Sequence, residues 1–160
     1  MIIAIIIYAF SMTLANLLIV KFGVWVSPIN SFVLIGLTLV LRDWLHIKLK
    51  EWQMGLLIIA SGLITYALNP AAAQIAIASS IAFTLAAIVD WIAFAKTTGT
   101  WFKRSNISNT LGAGVDSIVF PTIAFGVLMP EIIIAQFASK IFGGFIWSIF
   151  LNKKMDKMTK

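Results

Sequence analysis

The sequence predicts an all-α integral membrane protein, a compact bundle of six transmembrane helices. Three observations carry that expectation. Hydrophobic residues make up 61% of the 160 residues and charged residues only 11%, with a mean hydropathy of +1.00. One soluble core cannot hide so much apolar surface, so lipid must solvate most of the chain. The apolar residues fall into six runs, and the basic residues collect on one side of them.

The runs are residues 1–20, 29–45, 54–68, 71–95, 107–129 and 132–151, forming a single domain over 1–160. The first lacks a basic leader, carries Asn16 and leads straight into another span, so it reads as a mature helix rather than a signal peptide. The second closes on the charged Arg42-Asp43 pair. The third is short against the roughly 20 residues a bilayer crossing needs, so Trp52 and Asn69 are expected to extend it. Asn69-Pro70 is a turn signal, with Pro70 suited to the first turn of the fourth helix. The fifth begins in a polar stretch, in which Arg104 to Asn109 is expected at the interface as a helix cap, with only Asp116 and Ser117 deep. The sixth carries Gln136 and Lys140 one turn apart.

Charge sets the orientation. With six spans, Arg42, Lys48, Lys50, Lys96, Lys103, Arg104, Lys153, Lys154, Lys157 and Lys160 share one side, Lys21 faces the other, and Lys140 lies within a span. The positive-inside rule then puts both termini in the cytoplasm, in a multi-pass protein of the cytoplasmic membrane. Trp44, Trp52 and Trp101 are expected at the inner interface and Trp25 at the outer one, the depth that amphipathic rings prefer. His46 reads as a solvated inner-surface histidine.

Several function classes drop out. There is no cysteine and one histidine, so neither thiolate nor paired-histidine metal chemistry is expected, and no cofactor is implied. No P-loop, GxSxG or HExxH pattern occurs, so the chain is read as a non-enzyme. The net charge of +6 lies between apolar runs rather than along one face, which argues against nucleic acid.

A charge at mid-bilayer costs about 2.5–3.5 kcal/mol or more, so intramembrane charges point to function. Helix four carries Ala78, Ala82, Ala86 and Asp90 at spacings of four, flanked by Ser79 and Ala87. That stripe suits close helix packing, but packing does not need the carboxylate. Helix five places Asn109, Gly112, Ala113, Asp116 and Phe120 on one face, with Gly114 and Pro121 loosening the backbone. Such a helix suits the wall of a substrate cavity. An Asp116–Lys140 ion pair that only holds two helices together is the structural alternative.

"LRDWLH", the aspartate of "AAIVDW", "RSNISNTLGAGVDSIVF" leading into "AFG", "AQFASK" and the early "ANLLIVKFG" together resemble the queuosine-precursor transporters, also called the vitamin uptake transporter (VUT) family. The resemblance runs in order over nearly the whole chain and is most specific from Ser105 to Gly126. It implies an S-component-like six-helix carrier without its own ATPase, moving a 7-deazaguanine base such as preQ0 or preQ1. Family-like positions are Asn16, Arg42, Asp43, Asp90, Arg104, Asn106, Ser108, Asn109, Asp116, Ser117, Phe120, Gln136 and Lys140. The family often has Ser-Glu before the helix-four aspartate, where this chain has Ala86-Ala87, and the missing carboxylate bears on which precursor form is carried.

For such a planar base, Asp90 and Asp116 are expected to accept from its donor edge and Asn106 and Asn109 to meet its other polar edge, with Trp91, Phe94 and Phe120 against its faces. Arg42, Asp43, Arg104, Ser108 and Asn16 are expected in gating or structural roles. The lipid bilayer is the obligatory partner, and a homo-oligomer and a separate ATPase module are both compatible with the sequence. The rival readings are a substrate-binding S-component driven by an ATPase and a non-transporting scaffold or holin-like protein.

Overall fold

The computed structural model describes the backbone of residues 1–159, with the side chains at 46, 47, 51 and 152–159 left out of the description. The tail lysines Lys153, Lys154, Lys157 and Lys160 and the His46 ring, expected at the inner surface, lie outside the described side chains. Among the described residues the chain is all helix, in six elements.

Helix α1 spans Ile2–Phe22, and Gly23 ends it. The second helical run, α2, is composite. A 3-10 turn at Val24–Val26 leads into Ser27–Asn30, a wide π turn over Ser31–Ile35, and a regular stretch over Gly36–Lys48. Helix α3 is Glu51–Leu68. A 3-10 turn at Pro70–Ala72, capped by the Asn69 side chain on the Ala71 N–H, opens α4 at Ala73–Lys96. Helix α5 is Trp101–Phe125 and α6 is Pro130–Thr159.

Among the described residues, four stretches are long and apolar enough to cross a membrane, namely Ile2–Phe22, Val24–Leu45, Pro70–Lys96 and Pro130–Leu151. Trp52–Leu68 is a shorter apolar helix. Helix α5 has the length but carries Lys103, Arg104, Asp116 and a run of Ser and Asn. Polar side chains on that scale need protein rather than lipid around them. The fold meets the need by packing α5 between α4 and α6, and α4–α5 is the most extensive helix pairing.

The fifth helix departs furthest from expectation. It starts six residues before position 107, because the Thr100 hydroxyl accepts from the Lys103 N–H and supplies the N-cap. It stops at Phe125, because Gly126 takes the left-handed conformation (φ 71°) that closes a helix. Arg104 to Asn109 therefore lies inside the helix rather than capping it. Ser105, Ser108 and Asn109 are buried, so depth is not confined to Asp116 and Ser117.

The alanine stripe of α4 behaves as packing. Ala78, Ala82 and Ala86 are fully buried and Ser79 nearly so, which leaves that face no surface for a partner. Helices α2 and α6 touch backbone to backbone. A Cβ at Gly143 would collide with the Phe32 carbonyl, and one at Gly36 would sit 2.7 Å from the Gly143 carbonyl carbon. The crossing falls on the π turn, where the helical ladder is out of step. There the Val33 carbonyl accepts a hydrogen bond from the Trp147 indole at 3.1 Å. Trp25 and Trp52 are exposed, as interfacial rings would be. Trp44 and Trp101 are instead buried within the bundle, because their helices turn those faces to the core.

Candidate functional site

Among the described residues, the buried charged side chains fall into two layers. One is centred on Lys140 of α6. Its ammonium group lies 2.8 Å from an Asp116 carboxylate oxygen and donates to Gln136 Oε1 at 2.8 Å and to the Ser117 hydroxyl at 3.0 Å. An ammonium has three donors, and all three are used. Lys140, Asp116, Ser117 and Gln136 are all buried. Asp116 and Ser117 are neighbours on α5, and Gln136 is one turn before Lys140, so the pairing follows directly from helical spacing.

Against this layer lies a narrow cavity of about 20 Å³. Five helices line it. Asn16 comes from α1, Asn30 and Ser31 from α2, Phe83 from α4, Asp116 and Phe120 from α5, and Gln136 and Lys140 from α6. Asn30 is held by donating to the Ala15 carbonyl at 3.0 Å. Asp116 Oδ1 and Gln136 Nε2 are buried without a hydrogen-bond partner. One acceptor and one donor therefore remain unspent at the cavity wall. The cavity is narrow, with room at its centre for water but not for a planar ring unless its walls move.

The second layer lies nearer the chain termini. Arg42 of α2 meets Asp90 of α4 at 3.3 Å, both fully buried. Asp43 Oδ2 accepts from the Ser105 hydroxyl and, at 3.1 Å, from Asn109 Nδ2 of α5. Asn109 also donates to Ser105 at 3.0 Å, so Ser105 is fixed on both sides. Gly112 passes Arg42 and Asp90 so closely that a Cβ there would lie 3.0 Å from Arg42 Nη2. Tyr8 of α1 is fully buried, and its hydroxyl has no hydrogen-bond partner.

The structure thus gathers Asn16, Asp116, Phe120, Gln136 and Lys140 around one cavity, while Ser117 accepts from Lys140 without lining it. It places Asp90 in the other layer, with Arg42, and separates it from the cavity wall. Asn106 turns away, donating to the Phe102 carbonyl at 2.8 Å and to Ser148 at 3.1 Å. Ser108 donates to the Ser105 carbonyl. Asn106 and Asn109 line a groove between α5 and α6 on the far side of Lys140. Trp91 is 45% exposed in a surface groove against α3. Phe94 lies beneath the Arg104 guanidinium, 4.0 Å from its ring, and its carbonyl accepts from Arg104 Nε and Nη2. The expected aromatic sandwich therefore loses Trp91 and Phe94 from the cavity, because both rings lie two to three turns along α4 beyond Phe83, which lies at the cavity wall.

Sequence reasoning passed over Tyr8, Asn30, Ser31, Phe83 and Ser105. Tyr8 was legible as the one phenol in the first apolar run, and Asn30 and Ser31 as polar residues at the head of the second. Phe83 carried no signal, since its role depends on which way α4 faces.

No curated protein and no solved structure matches the chain. The family described as "putative vitamin uptake transporter" matches residues 2–152. That match runs from α1 into α6 and takes in every residue of both polar layers, and the chain belongs to this vitamin uptake transporter family.

Proposed function

We propose that the protein imports a small planar purine-like base, a 7-deazaguanine queuosine precursor such as preQ0 or preQ1, across the cytoplasmic membrane without an ATPase of its own. The chain's family is one of membrane transporters. The observation that carries the narrower reading is the pair of unspent groups at the cavity wall, Asp116 Oδ1 and Gln136 Nε2. A guanine-like edge sets an N–H donor beside a carbonyl acceptor. Asp116 would take the first and Gln136 would serve the second. Phe83 and Phe120 offer apolar faces to the ring, and Asn16 and Asn30 offer further polar contacts.

The narrow cavity fits an occluded stage of alternating access, in which the walls part to admit the base and close behind it. With both termini in the cytoplasm, as the basic loops favour, the cavity lies in the outer half of the membrane and the α5–α6 groove in the inner half. Lys140 lines both, so its ion pair with Asp116 stands between them.

The test is queuosine formation in a strain unable to make the precursor, fed preQ0 or preQ1. The protein restores it, and Asp116→Ala abolishes the rescue while the protein still reaches the membrane. Undiminished rescue by Asp116→Ala removes the carboxylate from the site. Failure of rescue by the parent chain refutes the substrate. Stable co-purification with nucleotide-binding subunits would move the reading to an ATPase-driven substrate-binding component.

A further inference from the structure

The groove between α5 and α6 is far roomier than the cavity, about 370 Å³ against about 20 Å³, and takes a purine-sized ring as it stands. It lies on the flank of the bundle, where its Phe142 and Phe145 are exposed. Yet Asn106, Asn109 and Thr110 of α5 and Lys140 of α6 also line it. Polar side chains are costly at membrane depth, and those that stand there mark substrate pathways.

The hydrogen bonds of this wall say what it can hold. Among the described residues, its side-chain donors are all spent. Asn109 Nδ2 donates to Asp43 and Ser105, and Asn106 Nδ2 to the Phe102 carbonyl and Ser148. The Thr110 hydroxyl donates to the Asn106 carbonyl, and Lys140 is committed to Asp116, Ser117 and Gln136. What remains is an acceptor. Asn109 is 6% exposed, and its Oδ1 is buried without a hydrogen-bond partner. The amide nitrogen is taken up by Asp43 and Ser105, which leaves Oδ1 as the end of the side chain open to a molecule in the groove. A buried acceptor without a donor is costly. The occupant that relieves it brings N–H donors and a flat apolar face. A phosphate or carboxylate would find no donor here, and an acyl chain would leave Asn109 unpaired.

We propose that the α5–α6 groove is a second binding station for the transported base, occupied on its way to the cytoplasm, with Asn109 Oδ1 accepting from its N–H edge and Phe142 and Phe145 against its ring. The inference rests on the transport reading above and adds a release station to it. Lys140 lines both spaces, so the base passes it between stations. Asp116 at the cavity and Asn109 at the groove lie two turns apart on α5, about 10 Å along the helix. Asn106 lies only about 8 Å from the first residue of that helix, Trp101, so the groove ends close to the inner surface. The cavity offers both an acceptor and a donor, Asp116 Oδ1 and Gln136 Nε2, whereas the groove offers an acceptor alone. The groove therefore holds the base more weakly, as release requires.

The chain has no cysteine, so a thiol placed in the groove is unique. Thr110→Cys, in the full chain in liposomes, reacts with a charged, membrane-impermeant thiosulfonate from the side bearing the α4–α5 loop. At about ten times its Kd, preQ0 slows that reaction about tenfold. The rate at Leu111→Cys, an exposed neighbour outside the groove, does not change with preQ0. Protection at 110 persists when Asp116→Ala disables the cavity. Phe142→Ala, at an exposed position, raises the preQ0 concentration for half-protection by about fivefold or more. A thiol at 110 that the reagent reaches from neither side means that lipid or a second copy of the chain fills the groove, and overturns the inference. So does protection that vanishes in Asp116→Ala or is untouched by Phe142→Ala. A preQ0-induced rise in the melting temperature of the parent without protection of the thiol also overturns it, and leaves the transport reading standing. Absence of both the thermal shift and the protection refutes the base itself, and the release station falls with it.

Discussion

Replacing Lys140 by Met separates the two roles its ion pair could play. The ammonium is buried and contacts Asp116, Gln136 and Ser117 at 2.8–3.0 Å. Removing it leaves the Asp116 carboxylate buried without its cation, and breaking such a pair costs about 3–5 kcal/mol. Removing the charge on both partners costs far less, since apolar or neutral replacement of a buried pair is often close to neutral. Lys140→Met should therefore lower the unfolding free energy in mixed micelles by about 3–5 kcal/mol. Asp116→Asn/Lys140→Met should recover most of that loss, and the cycle should show strong coupling between the sites. Uptake of labelled base should be lost in both proteins. A single variant within about 1 kcal/mol of the parent would refute the buried-pair energetics. A stable double variant that still transports would show the pair to be a strut between α5 and α6 and would remove Asp116 from the binding site.

Other perturbations follow from the packing. Gly143→Ala drives a Cβ into the Phe32 carbonyl at the α2–α6 crossing and should cost about 3 kcal/mol or more. Gly144→Ala, whose Cβ meets only the Gly36 carbonyl at 3.9 Å, should change stability by less than about 0.5 kcal/mol, and equal losses at the two sites would contradict the crossing. Trp147→Phe strips the Val33 carbonyl of its indole donor and should cost about 1 kcal/mol in the same unfolding assay. Tyr8→Phe removes a buried hydroxyl without a hydrogen-bond partner, so stability should hold or rise by about 1 kcal/mol; a clear loss of stability would show that the hydroxyl is bonded.

Much of the architecture was legible because lipid imposes a simple rule on sequence. Apolar runs must be helices long enough to satisfy their own backbone, so the element count and the turn at Asn69-Pro70 could be read directly. The Asp116–Lys140 pair was legible for the same reason, as two opposite charges at similar depth on consecutive helices. The start of α5 was not. Its polar residues looked interfacial because hydropathy reports what a segment would cost in lipid, whereas Ser105, Ser108 and Asn109 are buried in protein. The exposed Trp91 and the Arg104-covered Phe94 were misplaced because a helix pattern gives faces but not the neighbour each face meets.

By itself, then, the sequence determined the membrane setting, the helices and the few polar residues whose cost demands a purpose, since each follows from composition and spacing along the chain. Only the tertiary structure decided how those residues divide, with Asp116, Gln136 and Lys140 at a cavity and Arg42, Asp43 and Asp90 in a separate layer. That division depends on the rotation of each helix about its own axis, and the rotation is set by side chains from all its neighbours together.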